Sequence, residues 1–169
     1  MTTKVEQLYG TEHFDNGYFE SLKNFLSGRE FKRGVEIGLA WGMSAMAYLE
    51  TQDSKLISID LNDNMQKSEG LKKVFGDQWE FIVGDSNTTL AGLSGKFDWI
   101  YIDGDHSYEI VKQDLVAAHK KLAKGGMIVC DDYGNPCGVK QAVDEFVKSY
   151  GFTLTPMSNN PNGGVILTK

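Results

Sequence analysis

From Arg33 onward, short apolar runs alternate with longer helical patterns. This alternation is typical of βαβ units and predicts a parallel sheet with helices packed against it. Several of the short runs are rich in valine and isoleucine, as strands buried on both faces tend to be. We predict strands at residues 34–38, 55–60, 79–83, 97–103 and 127–130. The fold class is therefore α/β, with a doubly wound and mostly parallel sheet.

Two helices and a hairpin are predicted in the second half of the chain. The clearest helix runs from about residue 107 to residue 124, where Gly125 and Gly126 supply the stop, and the next runs from 139 to 150. Residues 152–155 and 164–168 flank MSNNPNGG, a stretch dense in turn residues. Strands joined this closely are expected to pair antiparallel at one sheet edge.

Residues 1–32 lie outside the alternation and are predicted to form an N-terminal helical segment. Any lid would come from this segment, from the loop after Asp132 or from a neighbouring subunit. Asp15 or Asn16 can cap a helix that Gly28 ends, and its apolar residues fall at helical spacing: Phe19, Leu22 and Leu26. Residues 33–169 are predicted to form one ligand-binding domain. A pocket this sparsely covered would be open or completed by a second subunit, so a homodimer is one hypothesis.

Composition narrows the class of protein. The 169 residues are 41% hydrophobic and 24% charged, as in an ordinary globular protein. The net charge of -6 has the wrong sign for holding a phosphate backbone, so no nucleic-acid partner is expected. No signal sequence or membrane span is recognised, and Cys130 and Cys137 lack metal-ligand spacing. We expect a cytoplasmic protein with free thiols and no membrane partner.

The motif VEIGLAWGMS, residues 35–44, leads a strand through a glycine-containing loop into a helix. Gly38 and Gly42 would let a ligand approach the backbone at the carboxyl edge of the sheet. A dinucleotide site would prefer a third glycine in G-x-G-x-x-G, which is missing here. The two glycines could equally do no more than shape a tight turn.

Acidic residues end the next two strands. Asp60 ends KLISID, where a carboxylate can accept hydrogen bonds from both hydroxyls of a ribose. It therefore indicates a nucleoside without choosing between nicotinamide and adenosyl cofactors. Asp85 and Ser86 follow the third strand, where such residues are also common helix caps.

Three further aspartates are predicted at two strand ends that meet at one crevice: Asp103, Asp131 and Asp132. Their mutual repulsion is costly unless a cation neutralises it, and hard divalent ions prefer oxygen ligands. A Mg²⁺ site is the simplest resolution. Solvated carboxylates at the end of a strand are the alternative for Asp131 and Asp132.

Taken together, IDGDHSYE and GGMIVCDDY resemble a family of metal-dependent small-molecule O-methyltransferases, akin to those that modify sugars of bacterial natural products. The resemblance runs from about residue 34 to residue 150 and implies the Rossmann-like fold of class I methyltransferases. It further implies S-adenosylmethionine as methyl donor, a divalent metal, Mg²⁺ by expectation, and a small-molecule hydroxyl as acceptor. E-x-G-x-x-x-G is similar to the first motif of that class, whose loop wraps the amino acid end of the cofactor.

The resemblance also implies roles for individual residues. Cofactor contacts are expected at Glu36, Gly38, Gly42, Ser44, Asp60, Asp85, Ser86 and Asp103. The metal would be bound by Asp103, Asp131 and Asp132, and the general base would be Asp105, with His106 as a second candidate. Residues that could line the acceptor pocket are Trp41, Tyr133 and Asn135.

Alternatives remain open at this point. Asp105 could cap the helix that starts near Ser107, and His106 could be an orienting or surface residue. A nicotinamide-dependent oxidoreductase would share Gly38 and Asp60 but would want the missing glycine. A non-catalytic binding module of methyltransferase fold is a further alternative. Within the enzymes, N-methylation is a lesser alternative because an amine needs no metal to become nucleophilic.

Overall fold

The structure, a computed structural model, describes residues 16–63, 65–158, 160 and 163–169. The helices are α1 (Asn16–Leu26), α2 (Met43–Thr51), α3 (Met65–Phe75), α4 (Ser86–Gly92), α5 (Tyr108–Lys121) and α6 (Val139–Tyr150), with a 3₁₀ turn at Gly76–Gln78. The strands are β1 (Arg33–Ile37), β2 (Lys55–Asp60), β3 (Trp79–Val83), β4 (Phe97–Ile102), β5 (Leu122–Cys130), β6 (Thr153–Pro156) and β7 (Val165–Thr168).

The seven strands form one sheet in the order β3-β2-β1-β4-β5-β7-β6. Strands β1 to β5 run parallel, whereas β7 pairs antiparallel with both β5 and β6. The predicted doubly wound sheet with an antiparallel C-terminal hairpin is confirmed. Strand order reverses at β1, whose neighbours are β2 and β4. The crevice outside the carboxyl ends of these strands is where open α/β sheets bind ligands.

Each face of the sheet carries its own apolar core, because successive side chains of a strand point to opposite faces. In β4, Ile100 and Ile102 pack with α4, α5 and α6, whereas Trp99 and Tyr101 pack with α1, α2 and α3. The predicted apolar residues of α1 belong to the second core and are buried: Phe19, Leu22 and Leu26. The alternative cap Asp15 lies outside the described residues.

The boundary between α5 and β5 differs from the predicted one. The helix ends at Lys121 rather than near residue 124, and the strand begins at Leu122 rather than at residue 127. Leu122 pairs with Phe97, and the register shifts before Trp99 pairs with Met127. Pairing with β4 therefore ends α5 at Lys121, before the chain reaches Gly125 and Gly126. Every helix in the described part of the chain is too short or too polar to span a bilayer.

Candidate active site

A crevice of about 340 Å³ opens at the carboxyl ends of β1, β2, β3 and β4. Its walls are formed by the loops that follow these strands. The residues that line it include Gly38, Asp60, Asp85, Ser86, Asp103, Asp105, Ile110 and Asp114. Six of the residues predicted from sequence thus share one concave site, at the place where such sheets bind ligands.

Gly38 sits where the loop after β1 crosses the loop after β4. Its φ is 89° and its N–H donates to the Ile59 carbonyl at 2.8 Å. A Cβ on Gly38 would lie 2.0 Å from the carbonyl oxygen of Asp103, far inside van der Waals contact. Glycine is therefore required here both by the left-handed backbone and by the close approach of two loops. Gly42, also with positive φ, directly precedes α2.

Glu36 and Ser44 lie behind the crevice rather than on its lining. The Glu36 side chain is fully buried and accepts hydrogen bonds from the hydroxyls of Ser44 at 2.8 Å and Ser58 at 2.5 Å. Burial raises the pKa of Glu36 to about 8, although the two hydroxyl donors oppose this rise. These residues join β1, α2 and β2, so they shape the loop and have no direct route to a ligand in this structure.

Asp60 is held firmly at the rim of the crevice. Its Oδ2 accepts from the backbone N–H groups of Leu39 at 2.8 Å and Ala40 at 3.3 Å. Its Oδ1 accepts from the N–H of Asn62 at 3.0 Å. The carboxylate therefore has a fixed orientation, and Oδ1 keeps an acceptor position for a further donor.

The pair Asp85 and Ser86 opens α4. The Asp85 carboxylate accepts from the N–H of Thr88 at 2.8 Å, which makes it the N-cap and lowers its pKa. Ser86 Oγ donates to Oδ1 of Asp114 at 2.5 Å. The helix-cap alternative for Asp85 thus holds in this structure, and both residues still line the crevice.

Asp114 is a site residue that the sequence reasoning missed. It is fully buried, faces the crevice from α5, and burial raises its pKa to about 6. A signal was present, because Asp114 falls beside Val111, Leu115 and Ala118 on the buried stripe of that helix. A carboxylate on an apolar stripe has a specific partner more often than not.

Two carboxylates and an imidazole form an acidic cluster beside the crevice, namely Asp103, His106 and Asp132. Their ligand atoms all lie within 4.8 Å of one another. His106 Nε2 is 3.0 Å from Asp132 Oδ2 and 3.6 Å from Asp103 Oδ1. Burial raises the pKa of Asp103 to about 6, and the hydrogen bond to Asp103 raises the pKa of His106.

Asp131 does not share in this cluster, in contrast to the predicted set of three aspartates. Its Oδ2 accepts from the Tyr101 hydroxyl at 2.9 Å. Its Oδ1 accepts from the N–H of Asp132 at 2.9 Å and from Asn160 Nδ2 at 3.2 Å. The physical reason is that Asp131 continues the β5 strand and points into the core face that holds Tyr101, while His106 occupies the place beside Asp132.

The loop that carries Asp105 leads directly into α5. The Asp105 side chain is exposed, lines the crevice, and accepts from the N–H of Ser107 at 2.7 Å. Hydrogen bonds from Ser107 hold the pKa of Asp105 below its usual range. The residue N-terminal to α5 is Ser107, so Asp105 supports the turn into that helix without being its cap residue.

The three residues predicted to line an acceptor pocket are found in different settings. Trp41 is 61% exposed and borders a depression next to Asp60. Tyr133 donates its hydroxyl to Asp144 on α6 at 2.6 Å, whereas Asn135 Nδ2 donates to the Asp132 carboxylate. Asn135 therefore belongs to the surroundings of the acidic cluster.

A model of the methyltransferase domain family matches residues 35–133, a segment that contains all of the acidic cluster and more than half of the chain. The chain belongs to the methyltransferase domain family. This match confirms the predicted methyltransferase membership, and the sheet described above is the predicted class I fold. This match favours a methyltransferase over the oxidoreductase alternative.

Curated proteins and a solved structure are similar to this methyltransferase. O-methyltransferase hkm8 of Aspergillus hancockii is 30% identical in an alignment of 118 residues that covers 66% of this chain and 46% of that protein. Phosphoethanolamine N-methyltransferase 1 of Triticum aestivum is 28% identical over 161 residues, 89% of this chain and 31% of that protein. The chain thus spans less than half of each relative. An O-methyltransferase from Bacillus cereus in complex with S-adenosylhomocysteine shares the fold, with a TM-score of 0.73 at 14% identity over 98% of this chain and 87% of that chain.

Proposed function

We propose that this methyltransferase binds S-adenosylmethionine in the crevice and transfers the methyl group to a hydroxyl of a small molecule, with the help of a divalent cation. The observation that carries the proposal is a juxtaposition: the crevice with Gly38 and Asp60 adjoins the cluster of Asp103, His106 and Asp132. The fold shared with a protein in complex with S-adenosylhomocysteine supports the cofactor. The fungal O-methyltransferase relative supports a hydroxyl acceptor.

On the cofactor side, the proposal assigns the ribose hydroxyls to Asp60. Three backbone N–H groups orient its carboxylate and leave Oδ1 with an acceptor position for a further donor. The tight crossing of the two loops at Gly38 lets the cofactor approach the backbone. Asp85, Ser86 and Asp114 would form the wall at the adenine end, because they line the same crevice from α4 and α5.

For the cation, the proposal assigns Asp103, His106 and Asp132 as ligands. Carboxylate oxygens suit Mg²⁺ and Mn²⁺, and an imidazole nitrogen extends the set to borderline ions, so the donors fit a divalent cation. A bound cation would lower the pKa of an acceptor hydroxyl that coordinates it. Asn135 would orient the Asp132 carboxylate through its side-chain hydrogen bond.

Asp105 is the proposed proton acceptor. As the hydroxyl oxygen attacks the methyl carbon, the bond between methyl and sulfur breaks, S-adenosylhomocysteine leaves, and the proton passes to Asp105. Because hydrogen bonds from Ser107 lower the pKa of Asp105, this carboxylate can take a proton only from a hydroxyl that has already been acidified. We therefore expect transfer to a hydroxyl to stop when divalent cations are chelated.

The first experiment is a calorimetric titration with S-adenosylhomocysteine and, separately, with NAD⁺. Wild type should bind only the adenosyl ligand, and Asp60→Asn should weaken that binding roughly tenfold to hundredfold, the worth of a hydrogen bond to a charged group. Asp53→Asn, at an exposed position before β2, is the matched control and should bind like wild type. Binding of NAD⁺ alone, or of neither ligand, would overturn the proposed cofactor.

A second experiment tests the chemistry with hydroxylated sugars and catechols as acceptors. Turnover should require Mg²⁺ or Mn²⁺ and should fall in Asp105→Asn without loss of Mn²⁺ binding. His106→Gln should lose Mn²⁺ affinity if His106 is a ligand, and only turnover if it is instead the base. Turnover of amines that survives chelation would identify an N-methyltransferase, and cofactor binding without turnover on any acceptor would favour the non-catalytic module.

A further inference from the structure

We propose that Tyr18, Tyr101 and Asp131 form a positioning network that holds Asp132 in the acidic cluster, so that helix α1 becomes part of the site. The network runs from α1 through the end of β4 to the end of β5. The inference rests on the proposed function only in taking Asp132 as a cation ligand. It gives Asp131 a role different from the direct metal contact predicted from the sequence.

The network consists of two phenols and the carboxylate on which they converge. The hydroxyls of Tyr18 and Tyr101 are 2.5 Å apart, and the Tyr101 hydroxyl lies 2.9 Å from Asp131 Oδ2. The carboxylate can only accept, and the Tyr101 hydroxyl donates to it. The Tyr18 hydroxyl contacts Tyr101 and also makes a hydrogen bond with Asp131, so both phenols converge on this carboxylate.

All three side chains are withdrawn from water: Tyr18 is 6% exposed, Tyr101 0% and Asp131 2%. A buried carboxylate is costly unless donors surround it, and a buried network that is fully satisfied fixes its members in one arrangement. Asp131 meets this requirement, with a phenol at Oδ2 and two N–H donors at Oδ1. Both carboxylate oxygens are thus hydrogen-bonded, and Asp131 is not a member of the acidic cluster in this structure.

The last link runs from Asp131 to Asp132. Asp131 Oδ1 accepts from the backbone N–H of Asp132, whose φ is 57°, in the left-handed region that is uncommon for a residue other than glycine. This backbone conformation directs the Asp132 carboxylate to His106, 3.0 Å away. The hydrogen bond from the Asp132 N–H to Asp131 stabilises this backbone conformation. Loss of the donors that fix the Asp131 carboxylate should therefore let Asp132 move out of the cluster.

The test compares Tyr101→Phe and Tyr18→Phe with Tyr48→Phe. Tyr48 is an ideal control because it is equally buried in the same core and its hydroxyl also has a partner, Ser54 at 2.7 Å, unconnected to Asp131. Outer-shell partners of metal ligands are worth about tenfold to hundredfold in affinity. We expect Tyr101→Phe to weaken Mn²⁺ binding by that factor and to speed amide exchange at Asp132. Tyr18→Phe should change both readouts in the same direction.

The control variant should change neither readout, and all variants should keep their affinity for S-adenosylhomocysteine. Equal Mn²⁺ affinity in Tyr101→Phe and wild type, or an equal loss in Tyr48→Phe, would overturn the inference. If wild type itself binds no Mn²⁺, the cation part of the proposed function fails. Amide exchange at Asp132 then decides alone, and rates in Tyr101→Phe no faster than in Tyr48→Phe would refute the network. If Tyr101→Phe does not fold, Asp131→Asn is the substitute, with the same expected losses.

Discussion

Replacing Glu36 with glutamine should remove a large pH dependence of stability. Glu36 is 0% exposed, and burial raises its pKa from 4.5 to about 8. Since the folded state holds this proton more tightly than the unfolded state, the stabilisation is complete below pH 4.5 and is lost as pH rises through about 8. The slope approaches about 1.4 kcal/mol per pH unit, and the whole interval is worth on the order of 5 kcal/mol.

The assay is urea unfolding from about pH 5 to about pH 9 for wild type and Glu36→Gln. The glutamine amide is neutral throughout and can still accept hydrogen bonds from Ser44 and Ser58. The free energy of unfolding of the variant, relative to that of wild type, should therefore rise by on the order of 3 kcal/mol between about pH 5 and about pH 8. Glu80→Gln, at an exposed position of β3, should run parallel to wild type. Parallel curves for wild type and Glu36→Gln would refute the reasoning, because other titrating groups are common to both proteins.

Two further predictions concern a backbone position and the thiols. Gly38→Ala should lower the free energy of unfolding by more than about 2 kcal/mol and abolish cofactor binding, because the added Cβ would collide with Asp103. Gly28→Ala is the control. Its φ is 77° and nothing lies within 4 Å, so backbone strain should cost only about 1 kcal/mol. Equal costs by urea unfolding would contradict the crossing-loop argument. With a thiol reagent, the native protein should label at half-buried Cys137 and not at Cys130, which is fully buried and whose pKa burial raises. Labelling that persists in Cys137→Ser before unfolding would contradict this assignment.

The fold was predictable because its signals are local. Runs such as KLISID are short and apolar on both faces, as expected of a strand that is buried on both sides of a sheet. The turn residues before Gly164 predict that the chain reverses direction there. The start of β5 could not be predicted because it depends on a distant residue. Leu122 pairs with Phe97, and nothing in the sequence around Leu122 indicates this pairing, so the predicted helix extends beyond the observed one.

The edge of the sheet at which the site lies was also predictable, because parallel strands end together. Gly38, Asp60, Asp85 and Asp103 follow four different strands and line one crevice. The role of each carboxylate is harder to predict from the sequence. One oxygen of Asp85 caps α4. Asp114 lies among the apolar residues of a helical stripe, and the apolar spacing alone does not single it out.

The observed acidic cluster contains His106 where the sequence predicted Asp131. The alternation of side chains along β5 explains the position of Asp131 but not that of Asp132. Tyr101 pairs with Val129 and both pack against the face that carries α1, while Ile102 and Cys130 pair and pack against the other face. Carried two residues further, alternation puts Asp131 beside Tyr101 and would turn Asp132 away to the opposite face. The left-handed φ of 57° at Asp132 breaks the alternation and returns its carboxylate to His106 and Asp103. That backbone angle depends on the hydrogen bond from Asp132 N–H to Asp131, which itself depends on a tyrosine from another strand. The orientation of the cluster is thus a property of the folded network and could not be read from the spacing of its acidic residues.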